Sequence, residues 1–292
     1  QGSSDRDNSW SESAPQDDIY LIAGKYHRYN YATNGTEAQV WLREHDPDLA
    51  ERYLKATESY LQLYSRLLGP YPYSKFSLVE NFWESGYGMP SFTLLGPRVI
   101  RFPFILHSSY PHEILHNWWG NGVFVDFSKG NWSEGLTTYL ADHLIREQQG
   151  QGSAYRRDTL QNYVDYVSRK RDFPLKKFRG HHGQSSQAVG YGKTMMFFHM
   201  LRMELGDETF LQGIRLFFKD NLHRTAAFAD LQKALETASG KELKTQFKQW
   251  TGRTGAPALE VSEYDVEKVD DGYKFSFTIR QSQRGAAYRL QV

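Results

Sequence analysis

The sequence predicts an α+β fold that is mainly α-helical, with a small β-sheet on its amino-terminal side and the start of a β-domain after the helices. Three observations lead to this expectation. Segments before residue 97 alternate apolar and polar residues as strands do, residues 111–250 carry apolar residues at helical spacing, and strand-like alternation returns after residue 256. Strands and helices therefore occupy separate stretches of the chain, which is the α+β pattern.

We expect three parts along the chain. Residues 1–17 are polar and carry no apolar pattern, which is typical of a disordered leader. Residues 18–255 form the main domain, and residues 256–292 begin a β-domain, because helical spacing gives way to strand-like alternation at Gly255-Ala256-Pro257. The strand-like stretch AAYRLQV reaches Val292 without a closing element. We therefore expect a piece of a larger protein that has further domains.

Strands are expected in the amino-terminal part of the main domain. Two of them, residues 19–32 and 38–45, flank the turn signal Asn34-Gly35. Further strands are expected at residues 75–83 and 92–96.

One long helix is expected between these two pairs of strands. Asp46 is a suitable N-cap, Pro47 fits the first turn, and Gly69-Pro70 ends the helix. Its apolar face consists of Leu49, Tyr53, Tyr60, Tyr64 and Leu67.

Helical spacing dominates the rest of the main domain. A helix over residues 111–121 has Pro111 in its first turn, and a second begins at Trp132 and is closed by Gly150. Further helices are expected at residues 153–170, 192–205, 208–221, 228–239 and 241–250.

Composition excludes several classes of function. The chain is 39 % hydrophobic and 24 % charged, which suits a globular core. Its net charge of +1, without long like-charge runs, predicts no nucleic-acid partner. The lack of cysteine excludes disulfides, thiolate nucleophiles and cysteine zinc ligands, but leaves the redox compartment undecided. No apolar run approaches the roughly 18 residues of a membrane span, and we favour an extracytoplasmic or cell-envelope location.

The stretch PHEILHNWWG carries the strongest chemical signal. Residues four apart on a helix share a face, so His112 and His116 can bind one metal ion. Glu113 points to the side of that ion and can accept a proton from a water. Two neutral ligands beside a carboxylate are typical of a zinc site that activates water, and another divalent ion is the alternative.

A third protein ligand is needed, and two acids are candidates. Glu134 lies eighteen positions after His116, in the first turn of the next predicted helix, where a loop can return its carboxylate to the histidines. A simpler interpretation is an exposed acid that interacts favourably with the helix dipole. Asp126, in the connecting loop, is the rival ligand, but a rigid helix favours Glu134.

These stretches carry a family resemblance. HEILHNWWGN followed by NWSEGLTTYLAD resembles the zinc signature of the aminopeptidase N family, gluzincin metallopeptidases with a thermolysin-like catalytic domain. The likeness also includes Trp118, Gly120, Asn121, Gly135 and Tyr139. Seventeen residues separate His116 from Glu134, one fewer than is usual in the family. The resemblance implies Zn²⁺ on His112, His116 and Glu134, Glu113 as general base, and a peptide substrate.

The resemblance extends to GYGKTMMFF, which is similar to the Tyr-x-Lys-Gly helix of the family. It implies that Tyr191 donates a hydrogen bond to the oxyanion of the tetrahedral intermediate, a role that suits a phenol facing a metal. Lys193 matches the family lysine, and Thr194 replaces the usual glycine. The alternative is that Tyr191 merely packs in the core.

The segment GYGMPSF departs from the family pattern. The family has Gly-x-Met-Glu-Asn here, and its glutamate helps to hold the free amino terminus of a peptide. Aligned on Met89, this chain has Pro90 where the family has that glutamate. The resemblance implies that the backbone of Gly88, Met89 and Pro90 aligns the substrate as an added strand. Glu84 either reaches the site or is a surface acid.

Three functions are consistent with these residues. The first is a zinc aminopeptidase, and the second is a peptidase with different end-specificity or an endopeptidase, which the Pro90 replacement favours. The third is an inactive zinc-binding interaction module, which the intact Glu113 and Tyr191 disfavour. The remaining histidines are weaker candidates: His181 and His182 are expected in an exposed loop, and His199 in the core.

Overall fold

A computed structural model describes residues 12–16, 18–33 and 35–290. The predicted leader lies largely outside the described residues, and residues 12–16 contain no helix or strand. No helix in the described part of the chain is long and apolar enough to cross a membrane. The α+β prediction is confirmed: a small sheet precedes a helical body, and a separate hairpin follows it.

The amino-terminal sheet, within the described residues, has five strands in the order β1-β2-β3-β5-β4. β1 pairs with β2 and β4 with β5 in antiparallel fashion, whereas β2, β3 and β5 run parallel. The strands are β1 His27–Thr33, β2 Thr36–Leu42, β3 Lys75–Glu80, β4 Gly86–Met89 and β5 Phe92–Leu95. The expected strand over residues 19–32 is shorter than predicted, because residues 19–26 form no ladder.

The long first helix forms where its capping residues predict. Helix α1, Pro47–Leu68, begins after Asp46, whose carboxylate accepts a hydrogen bond from the Leu49 amide at 2.9 Å. Gly69 ends it with a φ of +128°, a conformation that costs glycine little. The helix packs on β2 with a face that is buried through Leu49, Tyr53, Leu61, Tyr64 and Leu68.

The helical body contains two π-helical turns that no sequence pattern predicted. Tyr139–His143 interrupts the second expected helix between α3 and α4, and Ala188–Lys193 lies between α6 and α7. The helices are α2 Ser109–Leu115, α3 Ser133–Thr138, α4 Leu144–Gln148, α5 Gly152–Tyr166, α6 Gln184–Gln187, α7 Thr194–Leu205, α8 Asp207–Asn221, α9 Phe228–Ser239 and α10 Lys244–Gly252. A short parallel pair, β6 Phe124–Val125 and β7 Thr225–Ala226, ties the loop after α2 to the loop after α8.

The carboxyl-terminal strands form an antiparallel hairpin, β8 Leu259–Val269 with β9 Gly272–Gln281. Most of its residues are exposed. Residues 286–290 form no strand, so the expectation for AAYRLQV is wrong over that range. They return instead to the helical body, where Tyr288 stacks on Trp250 with ring centroids 5.0 Å apart. The predicted domain boundary near Gly255 stays a prediction.

Candidate metal centre

The two motif histidines lie at the carboxyl end of α2. The helix is shorter than predicted and closes at His116, whose amide still donates to the His112 carbonyl at 3.2 Å. The chain then turns because Trp118 and Trp119 are completely buried. Trp118 donates its indole N–H to the Gly69 carbonyl at 3.1 Å. These anchors fix the end of α2, and the two imidazole rings stand 4.9 Å apart.

Glu134, in the first turn of α3, completes with these histidines a cluster of three side chains that could hold a metal ion. Its Oε2 lies 3.5 Å from Nε2 of His112 and 3.4 Å from Nε2 of His116. A tetrahedral zinc ion with ligand distances of about 2.0–2.1 Å sets neighbouring ligand atoms roughly 3.3–3.4 Å apart. The spacing of the donor atoms therefore fits zinc. Within the described residues, no other group of three such side chains converges in this way.

Nδ1 of each motif histidine makes a hydrogen bond, which leaves Nε2 available to bind a metal ion. Nδ1 of His112 lies 2.7 Å from Oδ2 of Asp142, and Nδ1 of His116 lies 2.9 Å from the Trp119 carbonyl oxygen. Each partner accepts the Nδ1 proton, so the Nε2 lone pair faces the cluster. Sequence reasoning missed Asp142. The available signal was an acid on the same predicted helix as Glu134.

The electrostatics of the cluster favour a cation. Burial opposes a charged imidazole, yet Asp142 and the neighbouring glutamates raise the pKa of His112 well above its usual value. Burial also opposes a charged Glu134, but the two histidines outweigh it and lower the pKa of that carboxyl. A buried group of carboxylates around two imidazoles is stable only with compensating positive charge, which a divalent ion supplies.

Glu113 faces the cluster from the same helix and touches the edge strand β4. Burial raises its pKa, while the two histidines act in the opposite direction. A Cβ atom at position 88 would lie 2.8 Å from Oε2 of Glu113 and 3.1 Å from Cβ of His116. Gly88 therefore lets the strand pass directly over the carboxylate. This closeness places the strand backbone beside a base that is suited to accept a proton.

Tyr191 comes from the π-helical turn Ala188–Lys193 and stands beside the cluster. Its ring lies parallel to the His112 ring at 6.4 Å and contacts Phe178 edge-on at 5.8 Å. Burial raises the pKa of Tyr191, and the nearby Glu134 raises it further. The hydroxyl therefore stays protonated at neutral pH and can donate a hydrogen bond.

A cleft of about 1050 Å³ opens onto these groups. Gly88 and Met89 line it, together with Tyr191 and the metal-site side chains. Within the described residues that line the cleft, the carboxylates are those of Glu113, Glu134 and Asp142, and no lysine or arginine takes part. The cleft is thus neutral and polar away from the cluster.

The other predicted substrate contacts lie apart from this lining. Pro90 is buried at the tip of the β4–β5 hairpin, followed by Ser91 with a φ of +65°. The Glu84 carboxylate accepts hydrogen bonds from the amides of Arg98 and Val99, both at 3.2–3.3 Å. The structure therefore brings Gly88 and Met89 to the cleft, but not Pro90 or Glu84. The roles of all four residues stay predictions.

Asp126 and the remaining candidate histidines lie outside the three-residue cluster. The Asp126 carboxylate accepts hydrogen bonds from the backbone and hydroxyl of Ser128 and does not join the cluster. His181 and His182 are exposed, as expected, but His181 also lines the cleft, with its ring 6.4 Å from that of Tyr191. His199 is half-buried, and its Nδ1 lies 3.3 Å from the Tyr139 hydroxyl.

Comparison with known proteins agrees with this arrangement. Residues 108–250 match the peptidase family M1 domain. The chain is 31 % identical over 165 residues to the mitochondrial aminopeptidase 2 of Saccharomyces cerevisiae, covering 54 % of this chain and 17 % of that protein. It is 27 % identical over 252 residues to the alanine/arginine aminopeptidase of the same yeast, covering 80 % of this chain and 28 % of that protein. The chain thus spans less than a third of the length of these two relatives.

A solved structure shares the fold. The M1 zinc metallopeptidase from Deinococcus radiodurans superposes with a TM-score of 0.62 at 23 % identity, over 80 % of this chain and 54 % of that one. The predicted thermolysin-like architecture is confirmed by this likeness. The match of residues 108–250, which run from just before α2 into α10, to the peptidase family M1 domain confirms the resemblance to the aminopeptidase N family.

Proposed function

We propose that this chain is the catalytic unit of a zinc-dependent aminopeptidase. The observation that carries the proposal is the convergence of His112, His116 and Glu134 with Glu113 beside them. Relatives named aminopeptidases support the choice of reaction. Because the chain covers only part of each relative, the parent protein is proposed to carry further domains. An extracytoplasmic or cell-envelope location stays a prediction, which cell fractionation would test.

The chain's own residues account for the proton movements of peptide hydrolysis. Zinc bound to the three ligands would supply Lewis acidity, lowering the pKa of a water to about 7 and polarising the peptide carbonyl. Glu113 accepts a proton from the attacking water and delivers it to the amine nitrogen as the C–N bond breaks. Tyr191 donates a hydrogen bond to the carbonyl oxygen as that atom gains negative charge.

Strand β4 is proposed to align the substrate. In the described residues it pairs only with β5, so its outer edge is free to bind an extended peptide by backbone hydrogen bonds. Gly88 and Met89 would contribute these contacts next to Glu113. Glycine is required at position 88, because a side chain there would displace the Glu113 carboxylate.

A second candidate, a peptidase without strict amino-terminal specificity, rests on one observation. The carboxylates of the described cleft all belong to the metal site or its support, so no additional one is available to bind a free ammonium group. Glu84 is engaged by backbone amides, and position 90 holds proline. In this alternative, the same hydrolysis would act on amino-terminally blocked or internal peptide bonds.

A paired-substrate assay distinguishes the two. The zinc-loaded chain is given one peptide with a free amine and the same peptide acetylated, alongside Glu113→Gln and the exposed control Glu242→Gln. We expect cleavage of the free-amine peptide only, a fall in kcat on the order of 10³-fold or more in Glu113→Gln, and no change in Glu242→Gln. Glu113→Gln should keep its zinc, because that side chain is not a ligand.

Other outcomes have defined meanings. Equal cleavage of the acetylated peptide would replace the aminopeptidase proposal with the second candidate. Bound zinc without cleavage of either peptide would contradict both proposals for this chain. Unchanged activity in Glu113→Gln would rule out the assigned proton transfer.

A further inference from the structure

Lys193 is buried two residues after Tyr191, and only 8 % of its surface is exposed. Its ammonium group donates hydrogen bonds to the carbonyl oxygens of Arg253 at 3.1 Å and Gly255 at 2.8 Å. It also lies 5.8 Å from the centroid of the Tyr163 ring. A buried ammonium is costly unless its N–H groups are satisfied, and these acceptors and the ring satisfy it. The acceptors are about sixty residues away in sequence, so this contact is a tertiary tether.

Asp172 completes the surroundings of this lysine. Its Oδ2 accepts hydrogen bonds from the Tyr163 hydroxyl, at 3.0 Å, and from the Gly255 amide. Burial lowers the pKa of Lys193 to about 8, and the Asp172 charge acts in the opposite direction. The lysine, the aspartate and the turn at Gly255 therefore form one connected polar network.

The turn that the lysine contacts is held in place from its other side. The Arg253 guanidinium lies 3.7 Å from the centroid of the Tyr288 ring. It donates to the carbonyl oxygens of Ala286 and Ala287. Tyr288 in turn donates its hydroxyl proton to the Thr254 carbonyl at 3.0 Å. The segment between α10 and β8 is thus a fixed platform to which Lys193 can attach.

The π-helical turn that bears Tyr191 needs such an attachment. A π-helical turn is intrinsically less favourable than an α-helical one and persists where tertiary contacts support it. At one side Gly190 packs on Phe178, so closely that an added Cβ would lie 2.3 Å from the ring. Lys193 adds a contact at the carboxyl end of the turn, besides those that the turn makes with α3 and α5. The orientation of Tyr191 therefore depends on a contact with residues beyond Gly252.

We propose that Lys193 is a positioning residue: its hydrogen bonds to the carbonyls of Arg253 and Gly255 hold the π-helical turn so that the Tyr191 hydroxyl faces the metal centre. The residues that follow α10 thereby become part of the support of the active site. The catalytic consequence rests on the proposed peptidase function, whereas the tether itself does not.

A double-mutant cycle tests the catalytic part. Lys193→Met, Tyr191→Phe, the double variant and the exposed control Lys177→Met are assayed as zinc-loaded full chains. We expect Lys193→Met to lower kcat about 10- to 100-fold with KM within about 2-fold, and zinc content to stay unchanged. In the Tyr191→Phe background, Lys193→Met should lower kcat less than about 3-fold, because both substitutions remove the same hydrogen bond to the carbonyl oxygen. Lys177→Met should behave as wild type.

Hydrogen exchange tests the tether without catalysis. In zinc-loaded protein without substrate, Lys193→Met should accelerate amide exchange in residues 188–193 and in residues 253–258, but not in α2. If Lys193→Met does not fold, Asp172→Asn should produce the same paired acceleration and the same kcat loss. A uniform rise across the chain would overturn the proposal.

Two further results would overturn the positioning role. The first is a kcat in Lys193→Met equal to that of wild type. The second is a fall in kcat on adding Lys193→Met to Tyr191→Phe that is as large as in the wild-type background. If the wild-type chain hydrolyses no peptide, the proposed function fails. The paired exchange response would then support the tether alone, and its absence would overturn the tether as well.

Discussion

Asp142 supports the candidate metal centre from outside the cluster of His112, His116 and Glu134. Its carboxylate holds Nδ1 of His112 at 2.7 Å, and this bond directs the opposite ring nitrogen toward Glu134. His116 relies on a backbone carbonyl for the same purpose. A carboxylate is the stronger partner because it also makes the imidazole a better donor to a cation.

Asp142→Ala should weaken zinc binding by about 10- to 100-fold, because the His112 ring loses its orientation and part of its basicity. Competition with a chromophoric chelator measures the affinity directly. The matched control is Asp158→Ala, an exposed acid on α5 that should leave the affinity unchanged. An Asp142→Ala variant that binds zinc as tightly as wild type would remove Asp142 from this role.

At the scale of elements, the crossing of α3 and α7 sets the separation of Glu134 and Tyr191. Gly135 follows Glu134 directly, and a Cβ atom there would lie 2.2 Å from Cγ2 of Thr194, the first residue of α7. Thr194 is completely buried, so it has no free space to enter. The glycine at 135 explains how the chain accommodates Thr194 where the family has glycine.

Gly135→Ala should destabilise the fold by about 1–3 kcal/mol through overpacking, and it should weaken zinc binding because α3 moves. Adding Thr194→Gly should recover this stability, less the roughly 1 kcal/mol cost of a helical glycine. Urea unfolding and chelator competition measure the two effects. Gly252→Ala, where an added Cβ meets no atom within 4 Å, is the control. Failure of Thr194→Gly to relieve the loss would mean that this contact is not its cause.

For the whole molecule, His143 makes stability depend on pH. The residue is completely buried, and its Nε2 lies 2.8 Å from Nη1 of Arg156, which can only donate. The ring is therefore neutral in the folded protein. Burial lowers its pKa to about 4, and Arg156 acts in the same direction.

The unfolded chain binds more protons than the folded chain between the pKa of about 4 and the ordinary value of about 6.5. Stability therefore rises with pH across this window and is lost as pH falls through it, by roughly 3 kcal/mol in total. Urea unfolding of the zinc-loaded chain at pH 7 and pH 5 should show a smaller pH effect in His143→Gln than in wild type. The exposed control His182→Gln should keep the wild-type effect. Equal pH effects in all three proteins would show that His143 does not cause it.

The sequence predicted those features that are determined by residues close together in the chain. Asp46, Pro47 and Gly69 determine the bounds of α1, and the spacing of His112 and His116 determines their common face. Local hydrogen bonding and helical geometry suffice for these features. The position of Glu134 at the start of a helix was predictable for the same reason.

What the sequence left open depends on contacts between distant segments. Strand β4 forms by pairing with β5, α2 ends early because two tryptophans enter the core, and Asp142 reaches His112 across the bundle. The π-helical turn Tyr139–His143 lies inside a stretch whose spacing predicts an uninterrupted α-helix. The sequence by itself thus determined the ligand types and the helices that carry them. Only the tertiary structure decided which side chains support them, because packing, and not local spacing, supplies their partners.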